Sequence, residues 1–168
     1  MDSERLELLR RKKLHRKSDA IIRKNTLWAA GTGFIPIPVL DSAAIVAVQL
    51  KMLGELSSIH NVPFTETSGK SVIASFVASL TSNVLAKSLL ATGLFSNVAR
   101  ALPVIGSTLS ILTMPGFNAA FTYALGKVFQ QHYEAGGTIH DLDPKAAAPY
   151  FKEKFKEGFK FGQKAEAV

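Results

Sequence analysis

Ala101–Gly126 reads ALPVIGSTLSILTMPGFNAAFTYALG, 26 residues without a formal charge, and residues 71–86 (SVIASFVASLTSNVLA) are uncharged too. Lys87 interrupts, and residues 88–99 are uncharged again. At about 1.5 Å of rise per residue, about 20 helical residues cross a hydrocarbon core, so 71–92 and 104–126 are each long enough. The pattern predicts an all-α chain with a central apolar helical hairpin, membrane-inserted or membrane-associated. Both segments are diluted by Ser, Thr and Asn, so the alternative is a buried helix pair in a soluble all-α domain. Small residues let helices approach closely, and Ala74/Ala78 and Gly116/Ala120 have the small-xxx-small spacing; with Gly106 they are the expected helix-packing positions. Pro103 and Pro115 lie inside the second run, and Pro115 is expected to kink its helix.

Outside this centre the charge is unevenly placed. The 168 residues hold 20 Lys plus Arg, 13 Asp plus Glu and no Cys, which suits one domain and excludes disulfide scaffolds, thiolate metal sites and Cys nucleophiles. Residues 1–24 carry nine basic and four acidic side chains, 25–130 carry five and three, and 131–168 carry six of each. The expected division is a basic N-terminal arm (1–24), an apolar helical domain (25–137) and an amphipathic C-terminal tail (138–168).

Arg10, Arg11, Lys12, Lys13, Arg16 and Lys17 give the arm its charge. Near an anionic bilayer each is worth about 1 kcal/mol, which makes them candidate lipid contacts; a solvated tail is the alternative. No aromatic residue interleaves them and no reader motif follows, so nucleic acid is not an expected partner. If the hairpin spans, both termini share one side, and the basic arm puts that side in the cytoplasm of a bacterial inner membrane. The loop from Gly93 to Pro103 then faces outward, and the segment around Phe34 is re-entrant or interfacial.

Pro36 and Pro38 push the chain extended between a short helix near 20–33 and a second helix that Asp41 is placed to cap. In that helix Ile45, Val48, Met52, Leu56 and Ile59 recur at helical spacing. Thr65 is placed to cap a third helix. Towards the C-terminus Asp143-Pro144 offers a cap and first helical position, but Pro149 reads as a restart, so the ordered helix is expected over about 149–161. Phe151, Phe155 and Phe159 share one side of it, opposite Lys152, Lys156 and Lys160, with Lys154 inside the aromatic arc. Such a face suits either a bilayer interface or the domain's own core.

Chemistry is sparse. Residues 64–71 (FTETSGKS) resemble the end of a phosphate-binding loop, yet Phe64 replaces the first glycine and no strand pattern precedes it. His15, His60, His132 and His140 show no metal-ligand spacing, and His140-Asp141-Leu142-Asp143 reads as a solvated loop. No catalytic, cofactor or metal residues are expected.

Two stretches carry a resemblance. Ile35-Pro36-Ile37-Pro38-Val39-Leu40-Asp41 followed by Gln49 and Met52, and Leu102-Pro103-Val104-Ile105-Gly106-Ser107 leading to Tyr123-Ala124-Leu125-Gly126 and Phe129, resemble the bacterial family called "domain of unknown function 697" over roughly residues 20–137. The resemblance implies a membrane-associated helical domain, of a kind fused behind or encoded beside Era-like GTPase domains. This sequence holds no GTPase domain, so a GTPase partner acts in trans. The expectation is a non-enzymatic membrane adaptor or scaffold, with lipids and a GTPase or other protein as partners. A channel-forming or membrane-permeabilising protein and a soluble, homo-oligomeric interaction domain are the alternatives.

Overall fold

The computed structural model describes the backbone of residues 2–32, 38–80 and 106–166, and every regular element among them is an α-helix. These are α1 (Ser3–Thr32), α2 (Pro38–Ile59), α3 (Glu66–Leu80), α4 (Gly106–Glu134) and α5 (Pro144–Glu166). Local signals in the sequence account for most of their ends. Pro38 opens α2, where its missing N–H costs nothing. Asn61 then takes φ 57°, so that the Val62 N–H reaches the Ser57 carbonyl (2.8 Å) and the Asn61 N–H that of Ser58 (3.3 Å), closing α2 with a left-handed cap. Gly136, at φ 89°, does the same for α4 through Gly136 N–H to Tyr133 and Gly137 N–H to His132. Thr65 caps α3 as expected, its Oγ1 accepting the Ser68 N–H at 3.1 Å.

Three local expectations need correction. The helix expected near 20–33 is the second half of α1, which runs unbroken through residue 24. The backbone at Asp41 is already helical, three residues past Pro38, so the cap position lies before it. Helix α5 starts at Pro144 and passes through Pro149, because Asp143 secures the first turn: its carboxylate accepts the Lys145 N–H at 2.9 Å. Pro36, the segment around Phe34 and the loop from Gly93 to Pro103 lie outside the described residues.

Helix α4 is the central strut, packing on α1, α2 and α5, while α3 bridges α2 and α5. The core gathers Ile22 of α1, Met52, Leu53 and Leu56 of α2, Phe76 of α3, Ala124, Leu125 and Phe129 of α4 and Phe151 of α5. Among the described residues no helix is long and apolar enough to cross a membrane. Within the second expected span, 104–126, most side chains from Asn118 to Gly126 are buried, and those before Gly116 lie outside the described residues. Thr122, buried there, is met by Gln49 Nε2 at 3.5 Å. Of the first expected span, α3 takes residues as far as Leu80, and the remainder lies outside the described residues.

Candidate functional site

From Asp2 to Lys13 every side chain of the chain's start is exposed, because α1 enters the bundle only at Ser18, Ile22 and Asn25. Arg10, Arg11, Lys12, Lys13, Arg16 and Lys17 are all exposed. None of the six has an ion-pair partner among the described residues, whereas Lys24, about two turns further on, is bound to Glu55 at 2.8 Å. The expected cationic contacts thus stand together on one projecting element.

The aromatic candidates do not join them. Phe151 is buried, with its ring centroid 5.1 Å from Phe76 and 5.3 Å from Phe121, and Phe155 packs beside it at 6.1 Å. Phe159 lies against Gly116, where an added Cβ would meet its ring at 3.4 Å. The lipid role expected of Phe151 is therefore corrected: burying its ring against the core removes it from any surface. Lys154 escapes the aromatic arc by pairing with Glu157 (2.8 Å) and Glu153 (3.2 Å), with its ammonium over the Tyr150 ring; the Glu157 hydrogen bond leads in raising its pKa.

Where α1 leaves the bundle, a polar junction fastens it to α4. Lys127 Nζ donates to Asp19 (2.6 Å) and to Gln130 (3.1 Å), and His15 Nδ1 lies 2.8 Å from Glu134 Oε1 and 3.0 Å from Gln130 Nε2. Burial pushes the Asp19 carboxyl up, but the Lys127 hydrogen bond and charge outweigh it and leave its pKa below the ordinary value. Beside this junction is an open cleft of about 820 Å³, lined among others by Leu9, Arg11, Arg16, His60 and Tyr133. His60 Nε2 lies 3.0 Å from Ser18 Oγ, and burial holds its pKa below the ordinary value. Sequence reading missed the junction, since its members are more than a hundred residues apart and no linear spacing joins them.

The packing candidates divide. Ala120 is buried, and a Cβ at Gly158 would come within 3.0 Å of the Ala120 Cα, so Gly116 and Ala120 lie on the face of α4 that meets α5. Ala74 is exposed, and the side chain of Ala78 and the surroundings of Gly106 lie outside the described residues. The phosphate-loop look-alike is a helix start: Gly69 sits within α3, pressed against Leu50 and Phe64, and its N–H bonds the Thr65 carbonyl. His132 turns to Asp141 at 2.7 Å, and among the described residues no group of three or more His, Cys, Asp or Glu is placed to hold a metal ion.

Residues 3–156 match the family described as Domain of unknown function (DUF697). The chain belongs to that family. A relative, "Magnetosome membrane protein 22" of Magnetospirillum gryphiswaldense, is 32% identical over 150 residues, which cover 89% of this chain and 74% of the relative. No solved structure matches. The family match runs across residues 24 and 137, where arm and tail were expected to meet the apolar domain, and so takes in the projecting cationic turns and the start of α5.

Proposed function

We propose that this member of the family is a non-enzymatic helical scaffold associated peripherally with the cytoplasmic face of a bacterial membrane, both termini on that side. The observation that carries the reading is the set of six exposed cations on the projecting turns of α1, which have no ion-pair partner among the described residues. At about 1 kcal/mol each near an anionic surface, such a cluster supplies useful attraction without insertion. The name of the magnetosome relative supports a membrane setting. The bundle would present a protein partner to the membrane or the membrane to a partner, and a GTPase acting in trans is the partner class the family resemblance implies.

Two other readings part company here. A channel needs a spanning segment, and no described helix supplies one. A soluble interaction domain is favoured by one observation, the packing of α4 residues 118–130 inside the chain's own core. Fractionation of cells expressing the chain separates them. Recovery with the membrane pellet and release by high salt is the expected result. Resistance to both salt and carbonate would replace peripheral association by insertion, and recovery in the soluble fraction would favour the interaction domain.

A further inference from the structure

Among the described residues, the large hydrophobic side chains that stand exposed are Leu6, Leu8, Leu9, Leu27 and Trp28, between 40% and 63% exposed, and all five belong to α1. At about 100° per residue, Leu6, Leu9, Leu27 and Trp28 fall within one sector of the helix about 120° wide. Arg10, Lys13, Arg16 and Lys17 occupy the same sector between the two apolar pairs, and the helix's carboxylates Glu4, Glu7 and Asp19 fall outside it. The sector is opposite the face by which Ser18, Ile22, Asn25 and Ala29 are buried in the bundle. Lys24 also falls in it but is neutralised by Glu55.

The geometry points to α1 lying lengthwise on an anionic phospholipid bilayer, with Leu6 and Leu9 at one end, Leu27 and Trp28 at the other, and the four cations among the phosphates between them. This inference rests on the membrane reading above and gives it an orientation. A protein groove that grips a helix reads apolar anchors at successive turns. Here Leu9 and Leu27 are about 27 Å apart along the axis with cations between them, which suits a broad, uniformly charged surface better than a groove. Trp and Leu enter the boundary between headgroups and acyl chains, while Lys and Arg reach back to the phosphates. Among the described residues nothing covers the face opposite the bundle, so the bundle would ride on top of α1, away from the bilayer.

Trp28 is the only tryptophan of the chain and therefore reports on this face directly. The full chain is mixed with vesicles of phosphatidylcholine alone or with added phosphatidylglycerol; co-sedimentation and Trp28 emission are both followed. Expected are sedimentation with the anionic vesicles only, a blue shift of Trp28 with protection from acrylamide, and a loss of binding of roughly a hundredfold in the triple variant K13Q/R16Q/K17Q. The altered side chains are exposed, and circular dichroism checks that the variant keeps its helices. Sedimentation with unchanged Trp28 emission would overturn the lengthwise orientation and leave the membrane reading standing. Failure to sediment with either composition would overturn both. A blue shift that grows with protein concentration and needs no vesicles would assign the face to a second copy of the chain instead.

Discussion

Gly158 has no room for a side chain. A Cβ there would lie 2.8 Å from Tyr123 Cβ and 3.0 Å from the Ala120 Cα, and backbone does not yield as a long side chain does. Gly158→Ala gains helix propensity yet is expected to lower stability by about 1–3 kcal/mol, because α4 and α5 must separate. Gly31→Ala is the control: nothing lies within 4 Å, and a gain of about 0.5 kcal/mol is expected. Denaturant midpoints for the pair decide it, and two gains would mean that α5 is held less closely than described. A second expectation concerns His60, packed on Ser18 and on the Tyr133 ring. With its pKa depressed in the folded state, the unfolded chain takes up the proton first as pH falls through about 6.5. Stability is thus full above that pH and is lost as pH drops towards the folded value. His60→Gln should flatten this part of the stability curve, measured as urea midpoints between about pH 5 and 7.5; an unaltered slope would assign the loss to another group.

Helix α5 shows how far an element can be read from its own residues. Its aromatic arc was legible as an arc, from the spacing of Phe151, Phe155 and Phe159, but its occupant was not. Rings facing lipid and rings facing a core follow the same periodicity, and only Phe76 and Phe121, distant in sequence, decide that Phe151 is interior. The same ambiguity governs the uncharged run of α4. Hydropathy reports that residues 118–126 avoid water, not whether lipid or protein replaces it. The Thr65 cap fared better, since it acts through a neighbour within a turn; the cap expected at Asp41 did not, because α2 already opens at Pro38. Phe151→Ala should cost about 3–5 kcal/mol, the range for emptying an aromatic site in a packed core. Thermal unfolding checks this, and a variant that unfolds like the parent but leaves vesicles more readily would return Phe151 to the membrane.

At the scale of the whole molecule the two ends differ in kind. Net charge is +7, and nine of the 20 basic residues lie in the first 24 positions. Side chains 2–13 are exposed, so the bundle gains no burial from the first turns of α1. Removing residues 2–11 should change stability by no more than about 0.5 kcal/mol, as for surface changes generally, while weakening attraction to anionic vesicles. Ending the chain at residue 143 should do the reverse. Without α5, Phe76 and Phe121 lose the Phe151 ring and Gly116 loses Phe159, leaving a broad apolar strip of α3 and α4 in water. The expected outcome is loss of a single cooperative thermal transition, with dye binding to exposed apolar surface. The division into arm, domain and tail sets a basic end against an amphipathic one, but leaves open whether the aromatic face of the tail meets a bilayer or the core. Burial separates them, and a shortened chain that still melts cooperatively at the parent's temperature would show that α5 is an appendage after all.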